Sequence, residues 1–569
     1  MYNYKNLKKV VVALFLVFTM TVVLYPKDLY ATETIDTWDG TSDSSWYDSA
    51  KDEYEINSAE QLAGLAVLVN QNISFEGKTI KMMVDVDLKG YEWISIGCGP
   101  NIKAEAFQGT FDGQNHVIYN LYSHEDSLSN TEENNSYRNG LFGSIYDATI
   151  QNLGIEDADI WMSANDRSTY GKGILVDWMT NSTIKNCYTS GTITGGSYIE
   201  KYIGGLVGFL NDDNNISGCY STAVITGNYN GGAYGEGVAY NWWDSLGGIV
   251  GASYTGDVTI NDCWFGGQIV VNSIQAPVGG IIGYSEGVSI YNCLVATTNI
   301  ENDGLGNTSW LGYSLDEDAT NCFYPNDNKY NTTPKNDESG IIAGTAVSNF
   351  NDSSILEGLR LNSDESVSWV EGINNPTFSW DNGNIIADYT AVNDALNKIP
   401  VDLSLYTEES VSALKKVISE IDYNKSKREQ SIVDSYVNEI ESTIIALEYK
   451  NADYSNVDEA INKANALNKN DYKNFSAVEN AINAVIRGKN ITEQSTVDEY
   501  ANAIEKAINA LEKKNPTLIQ DDNSSTDTST GVPTGDDTNI LLWGLSSILG
   551  LAQIILVIRK KYNMDKIKN

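Results

Sequence analysis

Two histidines, His116 and His124, are all that the 569 residues contain. A serine or cysteine triad needs a histidine base, and most zinc sites need histidine or clustered thiolates. Carboxylate, lysine and tyrosine chemistry is what is left, and no convergent cluster of those groups stands out. Asn211-Asp212-Asp213-Asn214 offers the hard oxygen ligands that calcium takes. The same composition makes an ordinary polar turn, and that reading is preferred. No catalytic residue, no metal and no cofactor is therefore expected, and the chain reads as a binder and not an enzyme.

Aromatic side chains offer the chemistry for binding. Tyr229, Tyr234, Tyr240, Trp242 and Trp243 crowd into 228–243. Exposed Tyr and Trp stack on sugar rings or anchor a protein partner. The alternative is that these rings fold back on the scaffold. Charge narrows the partners further. Acidic residues number 76 against 37 basic, a formal net charge of −39. Such a surface repels nucleic acid and anionic lipid heads, and the scarcity of arginine argues against phosphate recognition.

The elements that must carry these residues repeat. Gly140-Leu141-Phe142-Gly143 returns as Gly204-Gly205-Leu206-Val207-Gly208, then at 247–251 and 279–283, with weaker copies at 173–175 and 310–312. Taking the second glycine at 173, 205, 248 and 280 gives steps of 32, 43 and 32 residues. The long step holds the aromatic insertion, and insertions in solenoids project from one face. A second motif follows each copy: Thr149-Ile150-Gln151-Asn152-Leu153, Thr183-Ile184-Lys185-Asn186-Cys187, and so on through 215–219, 259–263, 289–293 and 320–322. Each is a short β-rich run ended by a turn former. Short strands at a period of roughly 30 residues predict a parallel β-solenoid whose stacked coils share one core. Glycine fits the sharp corners and lets coils approach. A propeller or sandwich of hairpins is the alternative, but regular hairpin turns are missing.

Cys187, Cys219, Cys263, Cys293 and Cys322 all close the second motif. Stacked coils would set them about 4.8 Å apart. A ladder of buried reduced thiols is preferred; disulfides or a thiolate metal site are the alternatives. Ser58 and Gln61 suggest a capping box opening a helix over 58–70, with Leu62, Leu65, Ala66 and Val69 facing the first coil. Residues 326–385 are read as closing coils and a cap.

The Gly-Gly-Leu-Val-Gly copies, with Gly109-Thr110-Phe111-Asp112-Gly113 before them, resemble the GLUG repeats of secreted bacterial surface proteins. The resemblance covers about 36–325. It implies a right-handed parallel β-helix and no shared catalytic residue.

Past residue 386 glycine falls away. Asp388-Tyr389, Val392 and Ala395 match Asp453-Tyr454, Val457 and Ala460 at a step of 65, and Gln430, Val433, Tyr436 and Ile440 match Gln494, Val497, Tyr500 and Ile504 at a step of 64. The spacing predicts three helices per copy, near 388–399, 409–422 and 430–448 in the first. These copies resemble FIVAR modules, tandem three-helix bundles of Gram-positive surface proteins. That resemblance implies sugar or matrix binding, and a plain spacer is the alternative.

At the ends, 1–31 reads as a signal peptide. Residues 515–538 read as a disordered spacer. Ile540 to Ile558 is apolar enough to span a bilayer, with basic Arg559, Lys560 and Lys561 in a cytoplasmic tail, 559–569. Pro533-Thr534-Gly535 before it resembles a Gram-positive cell-wall sorting signal, without the leucine and the residue between Pro and Thr. The expected architecture is a β-helix over 36–385, bundles over 386–450 and 451–514, then spacer and membrane span. The expected function is a cell-surface adhesin for a glycan or a matrix or protein ligand. A β-helix polysaccharide lyase or hydrolase and a purely structural surface component are the alternatives.

Overall fold

The computed structural model describes residues 35–98, 104–124, 139–162, 171–195, 202–227, 245–271, 276–302, 308–313, 319–326, 344–361, 363 and 367–514. The chain divides into two compact units, 1–448 and 449–569. The predicted parallel solenoid fills most of the first. The coil beginning at residue 202 is typical: Tyr202–Gly204, Val207–Asn211, Asn214–Ser217, then Tyr220–Ser221 and Val224–Gly227. Like strands of successive coils stack in parallel into four sheets, numbered I to IV in that order, with five, six, nine and fourteen strands among the described residues.

Register follows from the period-2 alternation of the strands. In sheet III, Ile150, Ile184, Ile216, Ile260 and Ile290 are partners in turn. All five are fully buried, in one core that runs from Trp38 to Tyr324. Each contributes about 1.5–3 kcal/mol over an exposed side chain. The turn formers on either side of sheet III hold left-handed backbone. Asn152, Asn186, Gly218, Asp262, Asn292 and Asn321 follow the strands at φ 50–60°, and Asp147, Asn181, Asp212, Gly256 and Gly287 precede them. Asn and Asp tolerate that region better than other side chains do.

The glycine motif marks the corner from sheet I to sheet II. A Cβ on Gly247 would lie 1.8 Å from the carbonyl oxygen of Val250, and one on Gly204 1.9 Å from that of Val207. Close approach of backbone to backbone, and not positive φ, requires glycine here. Strand pairing also corrects the repeat frame. Gly173 pairs with Gly204, Gly204 with Gly247 and Gly247 with Gly279, so Gly173 is the first glycine of its pair and Ile174 replaces the second.

Two caps differ from expectation. The helix Ala59–Asn70 starts at Ser58, whose side chain accepts from the Gln61 N–H. The Gln61 side chain, however, accepts from the Asn57 N–H at 2.8 Å, one residue short of a reciprocal box. Gly64 packs on the Asp43 carbonyl, so residues 38–48 lie against the helix as well as the coil. Beyond the last coil, among the described residues, only Thr345–Val347 adds a strand to sheet IV. Residues 353–361 and 367–384 are no end cap. They run along the flank, where Ile355, Leu359, Val367, Trp369 and Phe378 cover the outer aromatic column Tyr188, Tyr220 and Trp264, with Leu294 and Phe323 beyond. The column rings stack in parallel, Tyr188 on Tyr220 at 4.9 Å and Tyr220 on Trp264 at 4.4 Å. Trp369 Nε1 donates to Asp262 Oδ1 at 2.8 Å, and the Tyr220 hydroxyl to Asp381 Oδ1 at 3.1 Å.

The helices of the two copies are Thr390–Asn397, Glu408–Ser419 and Gln430–Ile445, and Ser455–Asn465, Ser476–Asn483 and Gln494–Asn509. Their shared signature is structural. The Tyr389 hydroxyl donates to the Asp422 carbonyl and accepts from the Lys425 N–H, as Tyr454 does with Ile486 and Lys489. Gln430 bonds both backbone groups of Asp388, and Gln494 both of Asp453. One difference between the copies bears on the solenoid. Arg428, whose counterpart is Thr492, reaches from the first bundle to Glu156 and the Tyr188 hydroxyl of the solenoid and lies over the Tyr188 ring. The first bundle thus joins the solenoid's unit instead of standing apart as a stalk.

Two outcomes follow. Gly247→Ala should cost about 3 kcal/mol or more, read as a lowered urea midpoint by circular dichroism. Arg428→Thr should cost about 1–2 kcal/mol, with faster hydrogen exchange in 382–388 and in the Tyr188 strand while 449–514 keeps its protection.

Candidate functional site

The alternation that buries the isoleucines of sheet III sends polar groups outward. Thr149, Thr183, Asn215, Thr259 and Ser289 form one outer row. Lys185, Ser217, Asn261 and Tyr291 form a second. Over the middle coils this face holds an open cleft of about 540 Å³. Thr183, Asn215, Thr259 and Asn261 line it from the strands, Asn181, Asp213 and Asp257 from the turns, and Ser363 from beyond the helix Ser353–Leu361. Tyr291, on the next coil, is 37% exposed.

Turn side chains are fixed by the coil stacking. Asp213 Oδ1 accepts from the Asp257 N–H at 2.9 Å, and Asn181 Oδ1 from the Asp213 N–H at 3.3 Å. The cleft is lined by hydroxyls, amides, two carboxylates and one phenol, without lysine, arginine or histidine. Such a lining repels anions and offers many directional hydrogen bonds to a neutral or cationic polar ligand.

Both histidines lie elsewhere: His116 Nδ1 is 2.9 Å from Asp85 Oδ1, and His124 Nε2 3.3 Å from Asp159 Oδ1. Asn211-Asp212-Asp213-Asn214 is a turn closed on itself, with Asn214 Nδ2 donating to the Asn211 and Asp212 carbonyls. Among the described residues, no group of three or more His, Cys, Asp or Glu could hold a metal ion.

The five repeat cysteines are buried free thiols. Four donate to the carbonyl two residues back at 3.2–3.3 Å and Cys322 does so at 3.5 Å, closing the left-handed corner after sheet III. Burial pushes the Cys187, Cys219 and Cys293 thiols well up. Their role is turn closure and core filling.

Tyr229, Tyr234, Tyr240, Trp242 and Trp243 lie outside the described residues, between the strands Val224–Gly227 and Ser245–Gly247. Pro533, Thr534, Gly535 and the span 540–558 lie outside them too. Among the described residues no helix is long and apolar enough to cross a membrane. Two features were missed in the sequence. The cleft was signalled by the polar residue before the isoleucine of the second motif, Thr149, Thr183, Asn215, Thr259 and Ser289. An aromatic row along sheet II has Trp178 and Phe209 at 4.4 Å and, past Ala252, Tyr254 and Tyr284 at 4.9 Å; Phe209 and Tyr284, each next to its motif's last glycine, were the signal for it.

No protein-family model matches the chain. It is similar to halomucin of Haloquadratum walsbyi, 29% identical over 185 residues, which is 31% of this chain and 2% of halomucin. Among solved structures it resembles a Bacteroides ovatus protein named as an immunoglobulin A1 protease. That match has TM-score 0.38 and 19% identity, and it covers 58% of this chain and 92% of that one. A second protein, named IgA1 protease, matches with TM-score 0.36 and 15% identity over 68% of this chain and 29% of its own.

Native chain treated with iodoacetamide should be labelled at half-buried Cys98 and spared at the five ladder cysteines, with all six reacting in denaturant without reductant. Protection that persists in denaturant and yields to reductant would mean disulfides.

Proposed function

We propose that this is a surface-displayed, adhesin-like protein whose solenoid recognises a neutral extracellular glycan along the outer face of sheet III. The cleft lining carries the reading: stacked Thr, Asn and Asp side chains supply paired donors and acceptors across successive coils, and Tyr291 supplies an apolar ring face for a sugar. The spacing of coils, about 4.8 Å, is close to the rise of a saccharide unit, so a chain could engage several rungs. No general acid or base pair is invoked, and binding without turnover is part of the proposal. The likeness to halomucin supports a mucin-like surface setting.

The same proposal includes the GLUG and FIVAR relationships, the right-handed sense of the coils, the leader at 1–31 and the C-terminal anchor. The glycine corner and the Asp-Tyr and Gln contacts repeated in both bundles support the first two. A matrix or protein ligand seated on the 228–243 insertion is the competing site.

Purified full-length chain on a glycan and matrix-protein array, beside Tyr291→Ala and a deletion of 228–243, tests this. Tyr291→Ala should weaken a neutral glycan about tenfold, roughly 1.4 kcal/mol, with unchanged unfolding. Loss on deletion alone would move the site to the insertion. No binding by any form would leave the structural reading.

A further inference from the structure

One coil departs from the repeat at two interior positions. Lys172 pairs with Ile203, Ile203 with Leu246 and Leu246 with Val278, so a lysine stands in line with three fully buried apolar side chains. Asp177 lies between the pairs Val176–Val207 and Trp178–Phe209, the place that the motif glycine Gly208 takes in the next coil. Both Lys172 and Asp177 are fully buried, and so is Asn139 of the preceding coil.

The three meet. Lys172 Nζ donates to Asn139 Oδ1 at 2.5 Å. The Asn139 amide nitrogen donates to buried Ser123 Oγ at 3.1 Å, which fixes the amide with its oxygen toward the lysine. Asp177 Oδ2 accepts from the Asn139 N–H at 2.7 Å, and its Oδ1 from the Gly140 and Gly173 N–H groups at 3.2 and 3.0 Å. One carboxylate thus grips the backbone beside both partners.

The geometry points to a covalent cross-link: Lys172 and Asn139 are placed to form an intramolecular amide between adjacent coils. The uncharged Lys172 amine adds to Asn139 Cγ, one bond from the oxygen it already touches. The Nζ–Cγ bond forms, the Cγ–Nδ2 bond breaks, and Nδ2 leaves as ammonia with a proton from the attacking amine. One amide replaces another, so no oxidant, reductant or activated donor is needed. Holding the amine on the amide in a buried site supplies the high effective concentration that such a sluggish exchange requires. Asp177 acts as a positioning residue. The bond would close a loop across a separation of 33 residues, in a core whose repeat cysteines are free thiols.

Tryptic mapping of the purified full-length chain decides it. Cleavage after Arg138, Arg167, Lys172 and Lys185 of an uncrosslinked chain gives 139–167, 168–172 and 173–185. The cross-linked chain should give 139–167 joined to 168–185, uncut at Lys172 and lighter by one ammonia. Asn139→Ala should release 139–167 and restore cleavage at Lys172. Lys172→Arg keeps a long N–H donor there and should also abolish the joined species. Wild-type chain that yields only the three linear peptides at full mass would overturn the proposal whatever the variants do. So would a joined species that survives Asn139→Ala.

Discussion

At the corner between sheets I and II the backbone passes so near itself that a single methyl group would not fit. At Gly204, Gly247 and Gly279 an added Cβ would sit 1.8–1.9 Å from a carbonyl oxygen three residues on. That tight corner carries Leu206, Ile249 and Ile281 into the centre, where each is fully buried. It also sets the coil's circumference. With the corner fixed, each isoleucine of sheet III falls on the one below, and each turn former falls on its predecessor. The outer rows of threonine and asparagine are the other side of that alternation.

Much of this was legible because it is periodic. A glycine at the corner, a polar residue before isoleucine and a turn former after it recur from coil to coil, and a recurrence of that kind has few structural solutions. The helices of both bundles were legible for the same reason, through spacing along one face. What was misjudged is what happens once. The first glycine of each pair could be told from the second only by strand pairing, since Gly173 has isoleucine after it. The course of 353–361 and 367–384 along the flank had no periodic signature, because their contacts with Tyr220, Asp262 and Phe323 are made across long separations.

The candidate site was half legible. Sequence pointed to the aromatic insertion, the most conspicuous departure from the repeat. The cleft on sheet III is built from the most ordinary positions, polar residues that look like mere solvated surface until the coils are stacked. An array of rigidly spaced hydroxyls and amides is itself a recognition element, because the ordering cost of those groups is met by folding and not by binding. Its acidity, shared with the whole chain, acts chiefly by exclusion.

The flank segment has a further consequence. Solenoids are usually additive: each coil feels only its neighbours, ends fray, and coils can be gained or lost by duplication. Here a strap bonded to Tyr220, to Asp262 and, through Gly358, to the side chain of Asn321 crosses several coils at once. It behaves as a ruler. Adding or removing one coil beneath it would displace every later anchor by one step, so the strap sets the number of coils that this lineage can carry. It also ties the opening of any one coil to the others, and turns a chain of nearly independent rungs into a body that gives way all together.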